Sequence, residues 1–337
     1  STQDDVAAAV AHSGVATYGV HGVSMEEYEN LLVETLKCRP HLIVDDGGDL
    51  INLLGGKCAQ YGDRLIGGCE ETTTGIHRLY ARQREGILPC PMMAVNDAKA
   101  KHYYDNKYGT GQSTWDAIMH TTNLIVAGKT VVVAGYGWCG KGIAMRAKGM
   151  GANVVVCEVD PIKALDATME NFRVMSMDEA AKIGDIFVTA TGCKDVIVKR
   201  HFEVMKNNAV LCNSGHFDCE VDVAALRAMA VEAFPRRQNI EGFKLSDGRT
   251  LNVLAEGRLV NLAGGNGHPA EIMDMSFAVQ ALSLEWLAKH REGLEKKVYL
   301  VPDEIDDQIA RVKLAAMGLA IDTLTEDQKA YLAGWEA

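Results

Sequence analysis

A glycine-rich turn between a strand and a helix constrains this sequence more than any other feature. The β-branched run Thr130–Ala134 predicts a buried strand, which leads directly into Gly135-Tyr-Gly137-Trp-Cys-Gly140 and then into a helix through Lys148. The first glycine allows the tight bend, the second lets backbone N–H groups approach a pyrophosphate, and the third lets the helix pack closely on the strand. The turn therefore predicts a phosphate-binding unit on a parallel sheet.

An acidic residue at the end of the next predicted strand narrows the choice of ligand. The strand Val154–Cys157 ends at Glu158, 18 residues beyond Gly140. A carboxylate in that place accepts hydrogen bonds from the adenosine ribose hydroxyls of NAD and would repel the 2′-phosphate of NADP. A simple turn with a surface glutamate is the alternative, but it does not explain this spacing. We therefore predict a Rossmann-type unit that binds NAD.

Strands and helices alternate along the rest of the 337 residues. Further strands are predicted at 186–190, 209–212 and 251–255, and helices at 25–36, 112–127 and 269–290, with two shorter helices after Pro302. This alternation is typical of an α/β fold, a parallel sheet with helices on both faces. At about 150 residues per domain, the length predicts two domains.

Composition disfavours several classes of partner. Lys and Arg total 34 against 45 Asp and Glu, and a net charge of −11 disfavours nucleic acid and anionic membranes, which attract clustered cations. No uncharged apolar run reaches the ~18 residues of a membrane helix, and no signal peptide is predicted. The nine scattered cysteines form no CxxC pair, so we predict free, mostly buried thiols in a reducing cytosol and no metal site.

Two polar strings, one after the short apolar strand predicted at 41–44 and one on a loop that enters a helix, have two interpretations each. Asp45-Asp46-Gly-Gly-Asp49 is either a solvated turn or the position of a catalytic acid. Glu70-Glu71-Thr72-Thr73-Thr74-Gly75 is either a helix start capped by Thr73 or Thr74, or a cluster of hydroxyls that binds a polar ligand. The residues alone leave both choices open.

Two further features carry groups that could transfer protons. Lys101 and Asp105 have the i, i+4 spacing of one helix face, which favours an exposed ion pair. Alternatively, a lysine near a carboxylate can relay the proton of an alcohol. His216 and His268 lie on glycine-rich loops, where a chemical role is about as probable as a structural one.

Together these strings resemble the S-adenosylhomocysteine hydrolase family over nearly the whole chain. The matching strings are residues 1–4, 45–49, 70–75, 96–97, 105–106, 135–137, 159–161, 215–217, 255–262 and 267–269. The strings Gly109-Thr-Gly-Gln-Ser-Thr-Trp115 and Met273-Asp-Met-Ser-Phe277 are similar to the archaeal and thermophilic-bacterial branch of that family.

The resemblance implies NAD-dependent, reversible hydrolysis of S-adenosyl-L-homocysteine to adenosine and L-homocysteine. In the family, tightly held NAD oxidises the ribose 3′-hydroxyl to a ketone, which acidifies the 4′-hydrogen. Homocysteine then leaves by elimination, water adds at C5′, and the hydride returns. The resemblance also implies a cytoplasmic homotetramer.

The implied fold is a doubly wound NAD domain inserted between two parts of an α/β substrate domain. We expect the substrate domain at 1–106 and 267–317, the NAD domain at 107–266, and a C-terminal helical tail at 318–337. Hinges are expected near 97–110 and 264–270, where glycine and asparagine accumulate.

The resemblance also assigns roles to particular residues. Lys101 and Asp105 would handle the 3′-hydroxyl proton, and Lys101 is expected to be a buried base with a lowered pKa. Asp46 and His216 would transfer protons around C4′ and C5′, and Glu71 would bind the ribose hydroxyls. Substrate contacts are expected from Glu71, Lys101, Asp105, His216 and His268. NAD contacts are expected from Thr72, Thr73, Thr74, Asn106, Gly135, Gly137, Trp138, Cys139, Gly140, Glu158, Gly215, His216, Asn261 and His268.

The sequence departs from the family in three places. The family has about 80 further N-terminal residues, over half a typical domain, with a His-Thr-x-Glu-Thr type string that contacts adenosine. We therefore expect a fragment or an alternative start. The Lys- and Tyr-bearing C-terminal tail of many members is not found here, and Thr110 stands where many members have cysteine; the archaeal-type branch shares both features.

Three rival functions stay open. A relative acting on S-inosyl-L-homocysteine would differ in purine-selecting residues that lie partly in the N-terminal string. A non-catalytic member would keep NAD binding without turnover. A 2-hydroxyacid dehydrogenase would exchange NAD freely, and residues 70–74 disfavour it.

Overall fold

One parallel and one mainly parallel sheet organise the chain, which a computed structural model describes over residues 2–335. The strands are β1 (Leu42–Asp45), β2 (Gly67–Glu70), β3 (Met92–Ala94), β4 (Thr130–Ala134), β5 (Asn153–Cys157), β6 (Arg173–Val174), β7 (Ile186–Thr189), β8 (Val210–Asn213), β9 (Ala230–Arg237), β10 (Ile240–Leu245), β11 (Thr250–Leu254) and β12 (Val298–Leu300).

Helices cover both sheets and connect them. They are α1 (Asp4–His12), α2 (Met25–Leu36), α3 (Asp49–Leu54), α4 (Thr73–Arg84), α5 (Lys99–His102), α6 (Thr110–Thr122), α7 (Trp138–Gly149), α8 (Pro161–Met169), α9 (Met177–Ala180), α10 (Lys199–Phe202), α11 (Val223–Met229), α12 (Val260–Ala263), α13 (Ala270–His290), α14 (Asp303–Ala316) and α15 (Glu326–Ala333). A π-helical turn spans Asp105–Gly109, and short 3-10 turns span Ala59–Tyr61, Val95–Asp97 and Ala255–Gly257. Within residues 2–335 no helix combines the length and apolar character needed to cross a membrane.

The first sheet has the order β1-β2-β3-β12, with every neighbouring pair parallel. Its register pairs Asp45 with Glu70 and Glu70 with Ala94, so the polar residues that end β1 and β2 lie side by side. The last strand, β12, follows the whole second sheet in the chain. The first sheet is therefore built from two separate stretches of sequence.

The second sheet has the order β6-β5-β4-β7-β8-β11-β10-β9, and the strands from β6 to β11 are parallel. In that run, the chain starts at β4, moves outward to β6, and then returns to continue from β7 on the other side. This is the doubly wound Rossmann order, whose crevice lies where the winding reverses, beyond the ends of β4 and β7. The prediction of an α/β fold with a Rossmann-type sheet is confirmed.

Two sequence predictions about this region are incomplete or wrong. The antiparallel hairpin β9–β10 at the sheet edge was not predicted, and its first strand is largely exposed. The helix predicted over 112–127 ends at Thr122, because Asn123 adopts a left-handed conformation with φ 54°. The helix at 25–36 is confirmed, and Ser24 and Glu27 form a capping box at its start.

The π turn and α6 pack closely against the Rossmann helix α7 at glycine positions. A Cβ added to Gly142 would lie 1.7 Å from the Lys107 carbonyl oxygen, and one added to Gly111 would lie 2.6 Å from Gly142. No side chain fits between these backbones. The connection that carries the chain from one sheet to the other is therefore packed against the start of the dinucleotide unit.

We predict that Gly142→Ala destabilises the protein by about 2 kcal/mol or more, because overpacking forces the π turn away from α7. Gly149→Ala is the matched control, since Gly149 ends the same helix and no atom lies within 4 Å of its added Cβ. Thermal unfolding of both variants tests this. Equal unfolding temperatures for Gly142→Ala and the parent chain would contradict the close packing.

Candidate active site

The carboxyl ends of the two sheets meet at one cleft. The loop after β1 carries Asp46 and Gly47, and the loop after β8 carries His216. His216 Nδ1 lies 3.9 Å from Asp46 Oδ1, and a Cβ added to Gly47 would lie 2.5 Å from His216 Nε2. Gly47 has φ 104°, so its lack of a side chain serves both the backbone and the close approach of the imidazole. Asp46 and His216, predicted from distant strings, are thus brought together.

Lys101 is the centre of a buried polar cluster in the same cleft. Its side chain is 6 % exposed, and Nζ donates to Asn106 Oδ1 at 2.8 Å, Asp105 Oδ1 at 3.2 Å and Asn96 Oδ1 at 3.3 Å. Glu71 Oε1 lies 3.3 Å from the same nitrogen. The expectation of an exposed ion pair is therefore wrong. The two partners also do not share one regular helix, because α5 ends at His102 and Asp105 begins the π turn.

The charges of neighbouring side chains, together with burial, set the pKa values of the groups in this cluster. Burial alone would lower the pKa of Lys101, but Glu71 and Asp105 outweigh it and raise that pKa. Burial would raise the pKa of Asp105, but Lys101 and then His268 lower it below its usual range. For Glu71 burial dominates, and its pKa is raised. The expectation of a lysine with a lowered pKa is therefore wrong, because two carboxylates face a single ammonium group.

The threonine string starts a helix and also faces the cleft. Thr72, rather than Thr73 or Thr74, is the N-cap of α4, since its hydroxyl accepts from Gly75 N at 2.9 Å. Thr73 Oγ1 accepts from Asn96 Nδ2 at 2.9 Å. A Cβ added to Gly192, in the loop after β7, would lie 3.9 Å from Thr74 Oγ1, so Thr74 faces the second sheet. Thr72 therefore caps the helix, whereas the hydroxyls of Thr73 and Thr74 face other parts of the cleft.

His268 lies beside the lysine cluster, of which Asn106 is a member. His268 Nε2 forms a hydrogen bond with Thr110 Oγ1 at 3.0 Å and lies 3.9 Å from Asp105 Oδ1, and its burial lowers its pKa. Asn106 Nδ2 donates to Asn96 Oδ1 at 3.0 Å. Each of these groups is therefore fixed by a partner from another part of the chain.

The turn after β4 has the geometry that a dinucleotide requires. Gly135 has φ 93°, and its added Cβ would lie 2.6 Å from the Ala190 carbonyl oxygen. A Cβ added to Gly140 would lie 1.9 Å from the Gly135 oxygen, whereas no atom lies within 4 Å of one added to Gly137. The turn is thus compact beneath Gly135 and Gly140 and open in front of Gly137, where a pyrophosphate would approach the N-terminus of α7.

Other predicted cofactor residues surround this turn. Glu158 accepts hydrogen bonds from the backbone N–H groups of Tyr136 at 2.6 Å, Val159 at 2.7 Å and Asp160 at 3.0 Å. Oε1 accepts two of these bonds and Oε2 accepts one, so Oε2 keeps a lone pair that can accept from a hydroxyl. Asn261 Nδ2 donates to Ser113, whereas Asn261 Oδ1 is buried without a hydrogen-bond partner. An acceptor orphaned in this way fits a ligand that brings a donor, such as a carboxamide.

Trp138 and Cys139 begin α7 and differ in exposure. The Trp138 ring is 36 % exposed and stacks on His102 with ring centroids 5.1 Å apart. Burial raises the pKa of the Cys139 thiol, and Thr110 and Lys101 lie close enough to counteract part of that rise. All nine cysteines are free thiols and five of them are buried. In residues 2–335 no cluster of three or more His, Cys, Asp or Glu side chains is arranged to hold a metal ion.

Two buried glutamates that were not among the predicted site residues stabilise the loops. Glu70 Oε1 accepts from Gly47 N at 2.8 Å and Thr72 N at 2.9 Å, which joins the loops after β1 and β2. Glu220 accepts from Thr191 N and Gly192 N at 2.9 and 2.8 Å. Burial raises the pKa of Glu70 to about 8. Their adjacency to Glu71 and to the His216 loop is the only signal that the sequence carries for them.

The fold and the cleft define a class of protein, an NAD-binding enzyme with a buried lysine–carboxylate cluster beside its dinucleotide turn. Comparison with known families agrees. Residues 106–267 match the family described as S-adenosyl-L-homocysteine hydrolase, NAD binding domain, and residues 1–61 match S-adenosyl-L-homocysteine hydrolase.

Several curated relatives are similar over the whole chain. An adenosylhomocysteinase of Thermococcus kodakarensis is 55 % identical over 336 residues, which cover 100 % of this chain and 80 % of that protein. An adenosylhomocysteinase of Aquifex aeolicus is 55 % identical, covering 100 % and 81 %. An S-inosyl-L-homocysteine hydrolase of Methanocaldococcus jannaschii is 55 % identical, covering 99 % and 80 %. The chain belongs to the S-adenosyl-L-homocysteine hydrolase family. The predictions of the family, of a hydrolase and of NAD as cofactor are confirmed.

A solved structure agrees in fold alone. A protein described as a D-isomer specific 2-hydroxyacid dehydrogenase, NAD-binding, from Polaromonas sp. JS6 66 aligns with a TM-score of 0.50 at 12 % identity, covering 77 % of this chain and 86 % of that one. At that identity the likeness extends to the Rossmann-type architecture and not to the reaction.

We predict that Glu158→Ala weakens NAD binding by about ten-fold or more, since it removes a charged hydrogen-bond acceptor at the end of β5. Glu203→Ala is the control, because Glu203 is an exposed glutamate at the end of α10. NAD titration followed by tryptophan fluorescence measures both. Unchanged affinity in Glu158→Ala would remove this carboxylate from the NAD site.

Proposed function

We propose that this chain catalyses the NAD-dependent, reversible hydrolysis of S-adenosyl-L-homocysteine to adenosine and L-homocysteine. The observation that carries the proposal is the Lys101 ammonium, buried among Asp105, Asn106, Asn96 and Glu71 next to the dinucleotide turn. A hydrolase of a simple thioether needs neither a dinucleotide nor a buried lysine. Both are needed where an alcohol is oxidised to prepare the bond for cleavage.

The first step concerns the ribose 3′-hydroxyl. Bound NAD supplies the hydride acceptor for this step and the hydride donor at the end of the cycle. Because the carboxylates raise the pKa of Lys101, its ammonium form donates to the 3′-oxygen and stabilises the negative charge that develops there. Asp105, ionised and 3.2 Å from Lys101 Nζ, accepts a proton from Lys101 as Lys101 takes up the proton of the 3′-hydroxyl, so that the proton released in the oxidation ends on this pair. Glu71 Oε1 lies 3.3 Å from Lys101 Nζ but makes no hydrogen bond, so it can accept from a ribose hydroxyl.

The elimination step falls to Asp46 and His216. They approach within 3.9 Å from opposite sheets, so their distance depends on how the two sheets close on each other. We propose a substrate domain at 1–106 and 267–317 and an NAD domain at 107–266, which close about hinges near 97–110 and 264–270. Closure would exclude water from the keto intermediate and align both groups with C4′ and C5′.

We also propose a cytoplasmic homotetramer. Exposed apolar side chains on the C-terminal segment support subunit contacts: Met317, Leu319, Ile321, Leu324, Tyr331, Leu332 and Trp335. This segment includes residues 318–335 of the tail expected at 318–337. Residues 336–337 lie outside the described residues, as does Ser1 of the first matching string. The free thiols are consistent with a reducing compartment.

A second candidate substrate is S-inosyl-L-homocysteine, since a relative named for it is as similar as those named for the adenosyl compound. Steady-state turnover of the two thioethers by the same preparation discriminates between them. We expect faster turnover of the adenosyl compound. Faster turnover of the inosyl compound would instead identify a substrate with a 6-oxo purine. The role proposed for Lys101 would stay the same.

Appearance of bound NADH tests the reaction directly. We expect the NAD-loaded chain to gain nicotinamide absorbance near that of NADH when S-adenosyl-L-homocysteine is added. In Lys101→Ala we expect NAD to stay bound and this signal to slow by about 100-fold or more, since one proton-transfer group is lost. Lys99→Ala is the control, because Lys99 is exposed and pairs with Asp303.

Two outcomes would contradict this proposal. Parent chain with NAD bound and no NADH after substrate addition would exclude 3′-oxidation. Normal NADH formation in Lys101→Ala would exclude Lys101 from it.

A further inference from the structure

Helix α13 holds the two carboxylates of the Lys101 cluster from the side opposite the lysine. The Ser276 hydroxyl donates to Asp105 Oδ2 at 2.7 Å, and Gln280 Nε2 donates to Glu71 Oε2 at 2.6 Å. The other oxygen of each carboxylate faces Lys101 Nζ, at 3.2 Å for Asp105 and 3.3 Å for Glu71. Each carboxylate is therefore fixed between a neutral donor and the ammonium group.

The packing of α13 sets the direction of these donors. Ser276 and Gln280 lie one turn apart, and each directly follows a buried core residue, Met275 or Val279. The helix is also attached to β2, because Cys69 Sγ donates to the Gln280 carbonyl oxygen at 3.7 Å. A helix fixed in rotation in this way presents both donors to the cluster without further adjustment.

Charge balance explains why neutral donors are needed there. Two buried carboxylates face one lysine, and an additional cation would compete with Lys101 for them. A hydroxyl and an amide stabilise a carboxylate by charge-assisted hydrogen bonds and add no net charge. Ser276 is completely buried, so without its hydroxyl Asp105 Oδ2 would lose its donor and have no water to replace it.

We propose that Ser276 and Gln280 are positioning residues for the reaction. Ser276 orients Asp105 toward Lys101 for the step at the 3′-hydroxyl, and Gln280 orients Glu71 toward the ribose hydroxyls. The proposal rests on the proposed function, because it acts through the roles given there to Asp105 and Glu71. The proposal predicts that substitutions at these two positions of α13 change different kinetic parameters.

The experiment compares Ser276→Ala, Gln280→Met and a control in the full NAD-loaded chain. Ser283→Ala is the matched control, since Ser283 is a completely buried serine on the same helix whose Oγ has no hydrogen-bond partner. For each variant we measure the rate of bound NADH formation against pH, the KM for S-adenosyl-L-homocysteine, and thermal unfolding.

We expect Ser276→Ala to slow NADH formation by about ten-fold, and the acidic limb of its pH profile to move to higher pH, because Asp105 loses a donor to its charged form. We expect Gln280→Met to raise KM by about ten-fold with a smaller effect on the maximal rate. Ser276→Thr keeps a hydroxyl and should restore the pH profile. Ser283→Ala should match the parent chain.

An unshifted pH profile in Ser276→Ala, or the same rate loss in Ser283→Ala, would overturn the proposal while the proposed function stands. Absence of NADH in the parent chain would overturn both. If Ser276→Ala does not fold, Gln280→Met still tests the proposal, because Gln280 is partly exposed. An unchanged KM in Gln280→Met would then overturn the proposal.

Discussion

The rest of this structure depends on the burial of one ammonium group, that of Lys101. A charged lysine removed from water is tolerated only when its donors are satisfied, and losing one partner of such a group typically costs about 3–5 kcal/mol. Lys101 obtains its partners from the end of β2, the turn after β3 and the π turn at Asp105–Gly109. The start of the connection to the second sheet is therefore tied to the same nitrogen that performs the proposed chemistry.

Buried carboxylates likewise fix the loops at the carboxyl ends of both sheets. Glu70 joins the loops after β1 and β2, and Glu220 holds the loop after β7 close to the His216 loop. Glycines provide the space, since a Cβ added to Gly75 would lie 2.1 Å from the Glu70 carboxyl group and one added to Gly215 would lie 1.9 Å from Glu220. Loops fixed by buried carboxylates can present catalytic groups with little freedom to move, which is what pre-organised catalysis requires.

Environment gives similar carboxyl groups different tasks. Asp105 is held ionised by Lys101 and by His268, whereas burial raises the pKa of Glu71 and brings that of Glu70 to about 8. Groups whose pKa values are pushed apart within a few ångströms are the usual mark of acid–base assignments in an active site. In the proposed reaction, these neighbouring side chains would provide a permanent anion, a hydrogen-bond acceptor for a sugar, and a structural acid.

The sequence by itself determined the features that depend on neighbours in the chain. The glycine turn at Gly135–Gly140, the strand that precedes it and the helix at 25–36 follow from local conformation, apolar periodicity and capping, and they were predicted correctly. Only the tertiary structure decided which groups surround Lys101, that its pKa rises, and that α13 supplies donors from some 170 positions further along the chain. Burial and charge depend on which distant segments pack together, and that information is not local.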